Sequence, residues 1–475
     1  MTENFWEIIE EYRRLGFDPL RWIPTSSNEV DNYILESALK EIKRSNIKLV
    51  PNWFDAFYYA DGKIPELTRR VYSFDNLLDE KKEIAIKQAL SIFRLHTEIG
   101  NDSTLLSEML QTFLKVFHSK VTVKKINMPL TTQQEAQFAL FDYVELHRGN
   151  KVGYTIANNS ATQITDATQS PESEIHSNIA FTVAMENLFL LGCTSGFKLF
   201  PIYDAPSEEM LDNIRKNLDI FASRYNLAME DYSSLKTGKL FFGATAIANT
   251  LKELPTRYEQ VEEGMQIIIS NKFGAMPSVS LYMLTEMDGS NISKFEQNNI
   301  SLNVLSTAKS EAIKNLSEPR FSLGRIISNY CPDFGMTFDK YTHITAVYPV
   351  ATDGIFAIGK LAQLTNSHIV INDLPLKNEE VAKFATKEFL VENATASLNG
   401  CHLIIATKDI SNLIVADLQK HNFEPTIIGF IAKKERPSLR IEKDLGQYVA
   451  SESKLARLNS LTRTEGALTD SSNHK

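Results

Sequence analysis

From about residue 264 to residue 432 the chain alternates short apolar β-type runs with helical periods, and this alternation leaves few folds open. Residues 265–270, 345–349, 368–371, 403–407 and 426–432 read as strands, and 303–315, 320–330, 355–365, 378–387 and 410–420 carry helical spacing. Strands interleaved with helices specify an α/β layered domain, not an all-β sandwich or a helical bundle. At 475 residues the chain exceeds one ordinary core, so two or three domains are expected.

A second stretch of mixed character lies upstream. Residues 121–126, 138–146, 152–156, 197–203 and 239–248 are strand candidates, and 167–174 is a polar loop. The apolar run 179–191 is a helix that Gly192 closes from its C′ position. A further helix over 207–225 starts with Ser207 as N-cap and Glu208 and Glu209 in its electropositive first turn. Residues 1–118 read as helical. Phe5, Ile8, Ile9, Tyr12 and Leu15 share one face, and further periods cover 26–42, 83–95 and 105–117. The aromatic group Trp53, Phe54, Phe57, Tyr58 and Tyr59 fits a helix-packing core better than a base-stacking platform. The expected organisation is a helical region (1–118), two α/β modules (119–260 and 261–445) and a flexible polar tail (446–475).

Composition narrows the function classes. A formal charge of −9 speaks against a nucleic-acid surface. No apolar stretch approaches the ~20 residues that span a bilayer, so no membrane partner is expected. The start carries acidic residues and no apolar signal core, and Cys193, Cys331 and Cys401 are sparse and far apart; both point to a reducing cytoplasm. The histidines show no HxH or HExxH spacing, which disfavours a transition-metal site. Neither GxxxxGK[ST] nor GxGxxG occurs. Cys193 follows a helix C-terminus, where the dipole raises a thiol pKa, so a structural role is expected for it.

The segment ATDGIFAIGKLAQL (351–364) concentrates the chemistry. A strand ends, Asp353 and Gly354 make the turn, and a helix begins at once. Such a corner sets a carboxylate beside backbone N–H groups, where phosphate and a hard divalent cation are both accommodated. An ordinary helix cap explains the same pattern.

These residues, with their neighbours, resemble the family of ATP-using enzymes with the aminoimidazole ribonucleotide synthetase-like (PurM-like) fold. That family includes selenophosphate synthetase, the hydrogenase maturation dehydratase and thiamine-monophosphate kinase. Thr352-Asp353-Gly354-Ile355 with Gly359 resembles the family's Asp-containing strand–helix turn, and SHIVINDLPLKNEEV its strand, Leu-Pro and helix sequence. NATASLNGCHLIIAT (393–407) is similar to the Thr-Ser-Gly-Gly-Leu-Leu element, with Ser397 and Gly400 in place and one glycine replaced. FEPTIIGFI is similar to the closing strand. EEGMQIIISNKFGAM (262–276) resembles the element that opens the C-terminal module, with Gly264, Lys272 and Gly274 at its Gly, Lys and Gly. Upstream, IAFTVAMENLFLLGC (179–193) looks like the long helix of selenophosphate synthetase, with Asn187 where that helix has a metal-binding Asp and Val183 where it has Asn. LFDYVEL keeps one acid, Asp142, of the two usual in its element. YTIANN is matched to the "TTD" strand through Asn158 or Asn159, and Glu230 and Asp231 fall in a later loop. The Gly/Cys-rich loop and catalytic Lys of selenophosphate synthetases have no counterpart.

The resemblance implies an α/β (α+β) fold of two such modules behind a helical region. It implies ATP and Mg²⁺ as cofactors, a homodimer paired through its N-terminal sheets, and phosphoryl transfer to a small selenium or sulfur nucleophile, as in a selenide, water dikinase. Asp353 and Lys272 would be catalytic. Gly354, Gly274, Ser397 and Gly400 would bind the nucleotide. Asp142, Asn187, Asp353, Glu230 and Asp231 would surround the metal. Asn brings an oxygen but no charge, which weakens magnesium binding. Two alternatives remain: a catalytically degenerate nucleotide- or partner-binding protein, favoured by the missing acids, and a thiamine-monophosphate-kinase-like enzyme, suggested by the Asp-Gly turn and Leu374-Pro375.

Overall fold

A computed structural model describes residues 2–15, 123–125, 142–146, 153–162 and 164–448, apart from 232, 234–237, 239, 288, 388–392, 398, 435–436 and 443–446. The helical periods at 26–42, 83–95 and 105–117, the aromatic group at 53–59 and the tail from 449 lie outside the described residues.

In chain order the described elements begin with α1 (Thr2–Arg14), β1 (Val123–Lys125), β2 (Asp142–Leu146), β3 (Tyr154–Thr162), α2 (Glu174–Leu190), β4 (Ser195–Asp204), α3 (Glu208–Arg224), β5 (Ala228–Met229) and β6 (Phe241–Thr250). They continue with β7 (Gln266–Ile269), α4 (Met276–Met287), α5 (Ser290–Glu296), α6 (Leu302–Ser317), α7 (Phe321–Asn329), β8 (Ala346–Pro349), α8 (Phe356–Thr365), β9 (His368–Ile371), α9 (Glu379–Lys387), β10 (His402–Ala406), α10 (Lys408–Lys420), β11 (Thr426–Lys433) and β12 (Ser438–Ile441). The α/β class expected from the alternation is the one observed. The strands form two six-stranded sheets, ordered β1-β2-β3-β6-β4-β5 and β12-β9-β11-β7-β10-β8. Pairing is antiparallel except at the edges, where β4 with β5 and β12 with β9 run parallel.

Local chemistry sets the helix ends. Ser207 Oγ accepts the Met210 N–H at 3.2 Å, and Glu208 and Glu209 occupy the first turn of α3. Gly192 has φ +77° and closes α2, with the Cys193 N–H returning to Leu188 and the Gly192 N–H to Phe189. This helix starts earlier than its apolar run, because Ser173 and Glu174 supply a cap upstream of it. Four further elements escaped the periodicity. The α4 segment is apolar on most sides, α5 is only seven residues long, and β5 and β12 are edge strands of two and four residues.

The second sheet is buried on both faces, as its unbroken apolar strands require. Ile268, Ile404, Val347 and Ala406 share one core with Ala244, Ala246 and Ala248 of the first sheet. Ile267, Ile269, Leu403 and Ile405 face the opposite core, with Phe356 and Leu361 of α8. The shared core also takes in α1 through Phe5, Ile9 and Tyr12. The Tyr12 hydroxyl donates to Gln169 O and lies 2.9 Å from His176 Nε2.

Candidate functional site

The Asp353 corner is built by one crossing segment. After β8 the chain turns through Ala351–Asp353, with Ala351 at φ +42° and Gly354 at φ +57°. A Cβ on Gly354 would stand 2.3 Å from Thr395 Oγ1, so glycine is required here both by conformation and by space. Thr395 Oγ1 accepts the Ile355 N–H at 2.9 Å and itself donates to Asn393 Oδ1 at 2.5 Å. Asn393 Nδ2 in turn donates to the Asp353 carbonyl at 3.0 Å. Two residues on, the Ser397 N–H bonds Ala351 O and Ser397 Oγ accepts the Ala275 N–H at 3.3 Å. The Gly274 N–H bonds Thr395 O, and a Cβ on Gly274 would meet Ala394 O at 2.4 Å. Gly274, Gly354, Ser397 and the Asp353 backbone are therefore gathered around residues 393–397, next to the start of α4.

Gly400 belongs to the same loop but faces elsewhere. Its N–H donates to Glu186 Oε1 at 2.8 Å, and its carbonyl accepts from Asn271 Nδ2 at 2.7 Å. Lys272 leaves the corner: its ammonium is 3.5 Å from Glu424 Oε1, and Lys377 engages the other oxygen, Oε2, of the same carboxylate. Burial would raise the Glu424 carboxyl, yet the hydrogen bond and charge of Lys377, with Lys272 beside it, hold it below its ordinary value. Leu374 is fully buried, and Pro375 O accepts the Phe273 N–H, so the Leu-Pro element braces the approach to Gly274.

The expected free end at this corner is closed. Thr395 takes the Ile355 N–H, and the buried Asp353 carboxylate accepts from the equally buried Lys360 Nζ at 2.6 Å.

In the first sheet, Asp142 stands directly opposite Asn158 in the β2–β3 register. Asn158 Nδ2 donates to Ala184 O at 2.8 Å, and Asn187 Nδ2 donates to Asn158 Oδ1 at 3.2 Å. The sequence expectations for Asp142, Asn158 and Asn187 thus meet at one place on β2, β3 and α2. Glu230 and Asp231 do not join them. They follow β5 at the opposite edge, four strand spacings from β2, or roughly 19 Å. There Glu230 pairs with Lys198, and Asp231 accepts from the Tyr203 hydroxyl at 2.5 Å with Arg215 Nε at 3.8 Å. Burial, and then Asp231, raise the Tyr203 phenol.

Two buried clusters escaped the sequence reading. Glu186 on α2 contacts the Arg320 guanidinium at 3.3 Å and the Gly400 N–H, and its Oε1 lies 2.9 Å from His402 Nε2, out of line for a hydrogen bond. His402 Nδ1 meets Ser270 Oγ at 2.9 Å. Burial would raise the Glu186 carboxyl, but Arg320, His402 and the Gly400 N–H together hold it down at about 2. Adjacent residues on a helix diverge by about 100°, so Asn187 faces β3 while Glu186 faces the second sheet. The second cluster centres on Asp166, which pairs with Lys309 at 2.6 Å and accepts from the Thr168 N–H and hydroxyl. The available signals were a lone Glu inside an apolar run, which must find partners when buried, and the Thr165-Asp166 step just past β3, a nearer match to a Thr-Asp pattern than YTIANN. Cys193 is buried, and burial raises its thiol.

The donor chemistry does not fit magnesium. That ion takes oxygen ligands at about 2.0–2.1 Å in near-octahedral geometry. Asp353 and Asp166 each already carry a lysine ammonium, and Asn158 and Asn187 bond each other. Among the described residues no group of three or more His, Cys, Asp or Glu side chains is placed to hold a metal ion. Among those residues, too, no helix is long and apolar enough to cross a membrane.

Comparison with known proteins gives likeness in structure only. No protein-family model matches the chain, and no curated protein matches it in sequence. Among solved structures, the chain is similar to thiamine-monophosphate kinase from Stenotrophomonas maltophilia at 13% identity and a TM-score of 0.44, over 65% of this chain and 90% of that one. Thiamine monophosphate kinase from Aquifex aeolicus is similar at 13% identity and a TM-score of 0.42, over 62% and 90%. The hydrogenase maturation protein HypE in complex with ATP is similar at 13% identity and a TM-score of 0.43, over 63% and 85%.

Proposed function

We propose that this chain is an ATP-binding protein that holds the phosphate end of the nucleotide at the corner formed by Gly274, Gly354 and Ser397. The observation that carries this reading is the convergence of those residues on the 393–397 segment beside the start of α4. Two of them are glycines at positive φ, a conformation common in phosphate-binding turns, here packed closely against residues 394–395. The order of motifs over 262–431 supports it, through the sequence resemblance to ATP-using enzymes.

Phosphoryl transfer to a small selenium or sulfur nucleophile is the chemistry that this resemblance implies. In that reading Asp353 and Lys272 act on the phosphate, Gly400 lines the site, and Asp142, Asn187, Glu230 and Asp231 are the remaining oxygen ligands. The ion pairs favour the second reading, nucleotide binding without transfer. Asp353 is held by Lys360, Lys272 turns to Glu424, and Glu230 and Asp231 stand at the far sheet edge. A homodimer through the first sheet and a cytoplasmic setting accompany both readings.

Calorimetric titration with ATP, with and without Mg²⁺, tests the binding on wild type and on Ser397→Ala and Asp353→Ala. Phosphate release in the presence of selenide or sulfide separates the two readings. Absence of ATP binding in every condition rejects both; binding with turnover rejects the second.

A further inference from the structure

Asp353 and Asp166 lie in different halves of the chain, yet each carries a lysine ammonium at 2.6 Å. Asp353 and Lys360 are 6% and 4% exposed, so neither charge is compensated by bulk water. Lys360 is seven residues on, about one turn into α8, and reaches back to the carboxylate just before the helix start. At Asp166 both oxygens are taken. Oδ2 holds Lys309 and Oδ1 accepts from the Thr168 N–H and hydroxyl. Lys309 is itself fixed by Thr168 Oγ1 at 3.1 Å and lies over the Tyr282 ring.

We propose that Lys360 and Lys309 are resident counter-cations, holding the positions a divalent ion would take at Asp353 and Asp166, so that phosphate ligands bind this chain without a metal bridging to either carboxylate. A magnesium ion at Asp353 would have to compete with a buried ammonium already on the carboxylate, and an unpaired buried charge is far costlier than a paired one. The remaining polar groups of the region repeat the pattern. Glu186 is neutralised by Arg320, and Asn158 and Asn187 satisfy each other as neutral amides. Each of these buried carboxylates is thus neutralised from within the covalent chain.

The ligand half of this proposal rests on the nucleotide reading; the cation half does not. Mn²⁺ is the probe for the cation half, followed by electron paramagnetic resonance on the full chain without nucleotide. Wild type is expected to leave Mn²⁺ free, and Lys360→Ala and Lys309→Ala to bind it about tenfold tighter or more. Stoichiometric Mn²⁺ binding by wild type that disappears in Asp353→Asn or Asp166→Asn overturns the proposal. Where an alanine variant does not fold, Lys360→Arg keeps the charge and is expected to leave Mn²⁺ free like wild type, while the wild-type measurement still decides. ATP affinity is expected to change by less than about twofold between Mg²⁺ and EDTA, and a drop of about tenfold or more in EDTA also overturns it. If ATP binds in neither, the nucleotide reading fails, and the Mn²⁺ result stands on its own.

Discussion

The corner of the second sheet and the polar group of the first sheet were both read from the same resemblance, but they are assembled differently. Gly274, Gly354 and Ser397 come together because short turns and one crossing segment place backbone against backbone. Asp142, Asn158 and Asn187 also meet, but through strand register and one helix face, whereas Glu230 and Asp231 end up across the whole sheet. Turn geometry is local and written in neighbouring residues. A ligand set drawn from several strands depends on sheet order, which no local spacing specifies.

Breaking the junction between the two regions gives the largest expected effect. Glu186→Ala leaves Arg320 and the Gly400 N–H without their buried acceptor, and should destabilise the fold by about 3–5 kcal/mol in urea unfolding. Glu186→Gln keeps an acceptor and should lose less. The same carboxyl sets an acid limit. Its folded value of about 2 lies below the ordinary 4.5, so its stabilisation is complete above 4.5 and is lost as pH falls from there toward 2. Stability measured across that window should fall less steeply in Glu186→Gln than in wild type.

A smaller loss is expected at the corner itself. Gly354→Ala forces a side chain into positive φ and against Thr395, costing about 1–3 kcal/mol by thermal or chemical denaturation. In the first sheet, Asn187→Asp removes the donor to Asn158 and sets a carboxylate against its carbonyl oxygen, for about 1–2 kcal/mol at neutral pH. Protonating that Asp restores a donor, so the deficit should shrink on acidification; a pH-independent deficit would show that the two amides do not depend on each other. The smallest effect is expected for Ser397→Ala, which removes the acceptor of a 3.3 Å bond from Ala275, about 0.5–1.5 kcal/mol.

Much of the fold was legible because it is locally encoded. Ser207, Gly192 and the interleaved apolar runs fixed helix ends and the α/β class without reference to distant residues. The corner was legible for the same reason, as a strand, an Asp-Gly turn and a helix in succession. Its state was not. That Lys360 would fold back onto Asp353 depends on both being buried in the fold, with the Asp353 carbonyl tied to Asn393 40 residues on. Glu186 stood in plain view within an apolar run, but Arg320 lies 134 residues away and Gly400 lies 214 away, and no periodicity joins them. The amphipathic face of α1 was equally clear, and its docking site was not.

That docking has a consequence for biosynthesis. Tyr12 meets its partner His176 across 164 residues of intervening chain. At roughly 5–20 residues per second, α1 is made about 8–30 s before His176, and α4, which α1 also contacts, is made later still. Phe5, Ile9 and Tyr12 are thus secured by a closure of high sequence separation.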